Sequence, residues 1–319
     1  MKDMKKRLPF QCLSLILAIA SASAQTPKRI NKAIDLLSHG QPVYYTGSHE
    51  GMAGSFEAGV KAAQTWADYI TYDMEHAPYD INGLAEFMKG LAKGGPTKSG
   101  HRTPAVIVTL PTDGTDEVTM RANAWMVKQV LATGVHGILL CHADSPGAVK
   151  AFVEAARFPT SRLGVNEGLD EGRRGVHGIP TASRIWGISP QEYQEKADVW
   201  PLNPKGELML GLKIEDKRAL ANVDESLKVP GISFAEWGPG DMALSLGVTG
   251  ALSGTSMPAP MREARAKVLA ACKAHKIFFL NTVRPNDVTA MIQEGVMIGS
   301  GGPEAAEIGR KYTKRPEPW

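Results

Sequence analysis

Cysteine is scarce. The 319 residues include three, and one of them, Cys12, falls in an N-terminal segment that reads as a leader. Cys141 and Cys272 stand too far apart to form a disulfide framework. Cys141 sits in an apolar run, where a buried free thiol is expected. Blocks of one charge sign and low-complexity tracts are missing, which removes the compositional ground for disorder. Beyond the leader, no apolar run reaches the roughly 20 residues of a membrane span. A global basic field is missing too. The formal charge is +3, but Lys2, Lys5, Lys6 and Arg7 against Asp3 supply all of it. Without them the charge is about 0, so no field recruits nucleic acid or an acidic membrane.

Those basic residues open the leader. Cys12 to Ala20 is an apolar run too short to span a bilayer comfortably, and Ala22-Ser23-Ala24 offers small residues for a signal peptidase. The pattern predicts a secretory signal peptide over 1–24 and a periplasmic or secreted mature chain over 25–319. With 43% hydrophobic and 22% charged residues, that chain can bury one domain of barrel size or two small ones.

Short runs rich in Val, Ile, Leu, Phe and Tyr alternate with helical patterns. Eight strands are predicted: Pro42–Thr46, Tyr69–Asp73, Ala105–Leu110, Gly137–His142, Leu208–Ile214, Ile232–Trp237, Ile277–Asn281 and Gly295–Ile298. Such runs suit parallel strands covered on both faces. Val118, Ala122, Trp125 and Met126 fall on one face of a helix. Met261–Lys276 and Pro285–Glu294 are further helices, with Pro285 suited to a first turn. Eight alternating units predict an α/β fold, a (β/α)₈ TIM barrel, in preference to an open doubly wound sheet. The stretch 158–204 interrupts the rhythm, with seven prolines and glycines before residue 181. Its length predicts an insertion on the barrel rim that acts as a lid or partner contact.

In such a barrel the chemistry belongs at the C-terminal strand ends. There lie Asp73-Met74-Glu75-His76, Thr109, His142, Lys213-Ile214-Glu215-Asp216, Gly238-Pro239-Gly240-Asp241 and Asn281. Glu215 and Asp241, on neighbouring strand ends, can share a hard cation, Mg²⁺ or Mn²⁺ and with less preference Co²⁺. From spacing alone, a pair of solvated acids stays equally open. Gly238 to Gly240, leading into a helix, can hold a carboxylate on exposed N–H groups, or can be a plain turn. His76 can serve as a general base, orient a water, or be an ordinary loop histidine.

Taken together these motifs resemble the HpcH/HpaI aldolase family, over nearly the whole mature chain. Asp73-Met74-Glu75-His76-Ala77-Pro78 is similar to its Asp-x-Glu-His-Gly/Ala-Pro. Lys213-Ile214-Glu215 is similar to its Gln-Ile-Glu strand. Gly238-Pro239-Gly240-Asp241 with Ser245-Leu246-Gly247 is similar to its Gly-Pro-x-Asp-Leu-x-x-Ser-x-Gly. Phe158-Pro159, Arg174-Gly175 and Ala182-Ser183-Arg184 are similar to its substrate loop. The resemblance implies a metal-dependent carbon–carbon lyase that cleaves a 4-hydroxy-2-oxo acid to pyruvate, or a related 2-oxo acid, and an aldehyde. It implies Glu215 and Asp241 as metal ligands and Glu75 as support for a water at the metal. The amides near Gly240 and Asp241 would hold the carboxylate, and His76 would take the proton from the C4 hydroxyl. A homotrimer or homohexamer is implied as well.

Departures from the pattern set further expectations. Thr109 stands where the family has a substrate-binding arginine. Leu131-Ala132-Thr133-Gly134 stands where it has Leu-Asp-x-Gly, so His76 is expected to lack its aspartate partner. Lys213 replaces Gln. It shares a strand face with Glu215, and either supplies the charge that Thr109 cannot or merely pairs with Glu215 or Asp216. His142 is a substitute acid/base, an extra ligand, or a neutral histidine packed at the barrel mouth. Arg174, Arg184 and Trp186 are expected to set the aldehyde half of the substrate. Two other readings stay open: a related metal/enolate lyase on a different carboxylate, and a non-catalytic periplasmic carboxylate-binding protein.

Overall fold

The computed structural model describes residues 29–47, 51–248 and 257–319. The predicted leader at 1–24 lies outside them. All strand pairs are parallel. β1 (Val43–Thr46), β2 (Tyr69–Asp73), β3 (Ala105–Asp113) and β4 (Gly137–Cys141) lie side by side. β6 (Leu208–Ile214), β7 (Phe234–Trp237), β8 (Phe278–Thr282) and β9 (Val296–Ser300) follow. Pairing of β1 with β9 (Val43 with Ile298) and of β4 with β6 (Leu139 with Gly211) closes the ring. The result is the expected eight-stranded (β/α)₈ barrel, whose eight predicted strands all form. β5 (Val199–Trp200) is a short extra strand beside the start of β6, too brief to read from sequence.

Inward residues fill the barrel in layers. Tyr69, Ala105, Ile107, Leu139, Met209, Phe234, Leu280 and Ile298 form an apolar interior. The helix Lys32–Ser38 closes its N-terminal end with Ala33, Ile34 and Leu37. That helix begins at Asn31, whose side chain accepts from the amides of Ala33 and Ile34, a regular N-cap. Above the apolar layer Tyr45, Thr71, Thr109, Lys213 and Glu236 line a small cavity of about 40 Å³. A larger apolar cluster packs the outer strand faces under the helices. No helix of the described residues is long and apolar enough to cross a membrane.

Three local expectations are corrected. The helix before β4 divides into Glu117–Ala122 and Ala124–Ala132, with Asn123 between them. The break turns Met120, Ala124, Val127, Val130 and Leu131 to the core. Val118 is left 79% exposed and Trp125 44% exposed. Pro285 lies in the turn before the helix Val288–Glu294, outside its first turn.

The third correction concerns residues 158–204. They hold the helices Ile179–Trp186 and Pro190–Lys196 as well as β5. They also lie at the N-terminal end of the barrel. The helix Pro146–Ala156 carries the chain back from the mouth before the insertion starts. Its side chains then meet the segment that precedes β4. Trp186 Nε1 donates to the Gly134 carbonyl (2.8 Å) and its ring stacks on His136. Tyr193 Oη donates to the Leu131 carbonyl (3.3 Å).

Candidate active site

The mouth is built from strand ends, each placing one or two polar groups. Asp73 ends β2, and its Oδ1 accepts from the amides of Glu75 (2.8 Å) and His76 (3.0 Å). This turn folds the His76 ring back, so that Nδ1 lies 2.9 Å from Asp73 Oδ2. His76 therefore has an aspartate partner after all, three residues upstream. Ala132, the position expected to supply one, lies against Gly178 at the other end of the barrel. The Asp73–His76 pair was legible in the order Asp-Met-Glu-His, because a carboxylate at i can reach a ring at i+3 across such a turn.

Glu215 follows β6 and is buried. Its Oε1 accepts from the His142 amide (3.0 Å) and its Oε2 lies 3.6 Å from Lys213 Nζ. Lys213 Nζ donates to Glu75 Oε2 at 2.6 Å. The lysine thus bridges Glu75 and Glu215, and no ion pair joins it to Asp216 among the described residues, while Thr109 lines the same cavity below it. Burial works to remove the Lys213 proton, but the surrounding acidic groups, Glu215, Glu236 and Glu75 among them, outweigh it and hold the ammonium above its ordinary range. Burial pushes Glu215 up despite Lys213. Burial likewise raises Glu236 to about 7, with Lys213 opposing and Glu215, Glu75 and Asp73 adding to the rise. Glu236 was missed at the sequence level. Its signal was a lone acid at the centre of an apolar parallel strand.

Gly238 has a steric role. A methyl group there would come within 2.6 Å of the Glu215 side chain. The helix Pro239–Leu246 starts at Gly238 without a side-chain cap, so its first amides, near Gly240 and Asp241, are open to an anion. Asp241 sits half-buried in this first turn and makes no ion pair with a described residue.

His142 follows β4 and lies beside Glu215. Its ring Nδ1 lies 3.3 Å from Asp216 Oδ2, and its Nε2 lies 3.8 Å from Glu215 Oε1. Burial lowers its pKa, but Glu215, Asp113 and Asp216 win and leave it raised. Asp144 and Asp216 face each other behind it. Burial and Asp216 raise Asp144 to about 7. Burial also works to raise Asp216, yet helix amides and neighbouring donors leave it lowered.

One ligand atom each from Glu75, His142 and Glu215 lie within 4.8 Å of one another, as do atoms of Asp73, Glu75 and His76. Carboxylates with an imidazole are a donor set that fits a divalent cation. Asp241 stands outside both groups. Arg174 lies apart from these groups. It is buried at the N-terminal end of the barrel, stacked 4.4 Å from the Phe158 ring and bonded to Tyr193 Oη at 2.6 Å. It lines no part of this mouth.

A parallel barrel with acids and histidines at its C-terminal strand ends defines the class of protein: a TIM-barrel enzyme scaffold whose site can hold a divalent cation. The HpcH/HpaI aldolase/citrate lyase family model matches residues 53–307, and the chain belongs to that family. It is 25% identical over 218 residues to a hydroxypyruvate/pyruvate aldolase of Paraburkholderia phytofirmans, covering 68% of this chain and 71% of the relative. It is 30% identical over 187 residues to a 2-keto-3-deoxy-L-rhamnonate aldolase of Klebsiella pneumoniae, covering 58% and 57%. Among solved structures it superposes on an HpcH/HpaI family protein of Burkholderia cenocepacia with TM-score 0.64 and 21% identity, over 89% of this chain and 97% of the other. The chain is thus a member of an aldolase and lyase family.

Proposed function

We propose that this chain is a divalent-metal-dependent aldehyde-lyase that cleaves a 4-hydroxy-2-oxo acid to pyruvate, hydroxypyruvate or a close 2-oxo acid, plus an aldehyde. The observation that carries this reading is the meeting of Glu75, Glu215 and His142 within 4.8 Å, beside the Asp73–His76 pair. Glu215 and Asp241 would hold the ion, with Glu75 next to them. A divalent ion bound there would draw electron density from the keto and carboxylate oxygens and ease heterolysis of the adjacent carbon–carbon bond.

The protein's own groups supply the rest. With Nδ1–H donating to Asp73, the basic lone pair of His76 is at Nε2, and Asp73 stabilises the imidazolium that forms. His76 takes the proton from the C4 hydroxyl, the C3–C4 bond breaks, its electrons pass to the 2-oxo acid as an enolate, and the aldehyde leaves. The amides at the start of Pro239–Leu246 orient the substrate carboxylate. Lys213 offsets part of the negative charge of Glu75, Glu215 and Glu236.

The test is exchange of pyruvate methyl protons with deuterated water, followed by NMR, with the purified protein and Mg²⁺, Mn²⁺ or Co²⁺. Metal-dependent exchange that is lost in Glu215→Gln is the expected result. Pyruvate binding with no exchange under any metal would replace this reading with that of a carboxylate-binding protein.

A further inference from the structure

The His142 backbone has φ +41°, in the left-handed region that a histidine enters only at some cost. This conformation aims two parts of the residue at once. The amide donates to Glu215 Oε1, while the ring is set with Nδ1 on Asp216 Oδ2 and Nε2 toward Glu215 Oε1. Asp216 is itself fixed, because its Oδ1 accepts from the amides of Arg218 (2.7 Å) and Ala219 (3.0 Å). An imidazole held at Nδ1–H by a carboxylate presents its lone pair at Nε2, the arrangement that orients metal-binding histidines. Donors to one ion at about 2.1 Å lie roughly 3 to 4 Å from each other. The 3.8 Å from Nε2 to Glu215 Oε1 fits that spacing. Lys213 approaches Glu215 through the other oxygen, Oε2, so an ion between Oε1 and Nε2 leaves the ammonium in place.

We propose that His142 is a metal ligand through Nε2, positioned by Asp216, and that it gives this site a mixed nitrogen and oxygen donor set. Such a set favours late first-row divalent ions, cobalt, nickel and zinc, over magnesium. The inference rests on the metal-dependent reading above.

The experiment strips the full protein with a chelator and titrates Mg²⁺, Mn²⁺, Co²⁺ and Zn²⁺ by calorimetry. Wild type should bind Co²⁺ and Zn²⁺ at least a hundredfold more tightly than Mg²⁺. His142→Asn, a residue that tolerates the left-handed backbone, should lose tenfold or more of that advantage while Mg²⁺ affinity stays within about threefold. Asp216→Asn should shift the same ions in the same direction by about tenfold. The cobalt-loaded wild type should also show a contact-shifted, exchangeable imidazole proton in its NMR spectrum, absent in His142→Asn. Equal weakening of all ions, or none, with the imidazole signal retained in the variant, overturns the assignment of His142 and leaves the metal reading standing. Failure of wild type to bind any of the four ions overturns both.

Discussion

Single residues decide the charge of this mouth. Asp73 does more than shape a turn, because its Oδ2 sets which nitrogen of His76 carries the proton. Asp73→Asn keeps the shape and loses that control, so the basic nitrogen is no longer specified. Cleavage should fall about a hundredfold in kcat with metal affinity nearly unchanged, as measured by steady-state kinetics beside calorimetry. Equal kcat in the two proteins would remove His76 from the mechanism. Lys213 offers a complementary case. Its ammonium lies 2.6 Å from Glu75 and 3.6 Å from Glu215, so without being displaced it repels a divalent ion held on the other side of the same carboxylates. At an effective dielectric of about 20, unit charges 4 Å apart interact by about 4 kcal/mol. Lys213→Met should therefore tighten Mg²⁺ or Mn²⁺ binding at least tenfold while raising the KM for the 2-oxo acid. Weaker metal binding in the variant would show that Lys213 holds the ligands in register and that this outweighs its repulsion of the ion.

At the scale of elements, the barrel strands were legible and the insertion was not. The strands announced themselves because a strand buried on both faces must be a short apolar run, and Val106, Val108, Ile138, Leu140, Leu210 and Leu212 are all fully buried. The helix Glu117–Ala122 was misread at its face because its apolar spacing runs through Asn123, where the helix breaks. Length and composition mark 158–204 as an insertion, yet neither tells which end of the barrel it joins. Connectivity does. A segment that follows the return helix Pro146–Ala156 and precedes β6 must start and finish at the N-terminal end. The motif-bearing arginine was for that reason assigned to substrate when it belongs to packing. Arg174 stacks on Phe158 and bonds Tyr193, and Tyr193 anchors the insertion to Leu131. Arg174→Ala should lower stability by about 2 to 4 kcal/mol, read by denaturant titration, with kcat and KM unchanged. A selective loss of turnover at full stability would return Arg174 to the substrate.

For the whole molecule, a buried carboxylate at the end opposite the candidate active site gathers distant parts of the chain. Asp68, at the start of β2, accepts from Arg315 (2.6 and 2.9 Å), from Arg310 (3.2 Å) and from the Tyr44 amide (2.9 Å). Lys32 Nζ lies 3.1 Å away. The first and last described helices are thereby pinned to β1 and β2. Burial works to raise the Asp68 pKa, but Arg315, Lys32 and Arg310 prevail and lower it from 3.8 to about 2. Lys32 and Arg310 are themselves lowered by burial, so the cluster gives back part of what Asp68 gains. The shift of Asp68 alone corresponds to about 2 kcal/mol of folding stability. Asp68→Asn should cost more, about 3 to 5 kcal/mol, because it also strands three buried cations without an anion. The sign with pH follows from the lowered pKa. The advantage of wild type over the variant is full above about pH 4, where an unfolded aspartate is ionised, and disappears as pH falls through about 2. Denaturant titrations of both proteins at neutral pH, pH 4 and the lowest pH that keeps wild type folded should give a difference that holds over the first interval and shrinks over the second. A difference that grows in acid would mean that the cations, more than the carboxylate, set the stability of this end. Turnover at neutral pH should be the same in both proteins, since Asp68 and the mouth lie at opposite ends of β2.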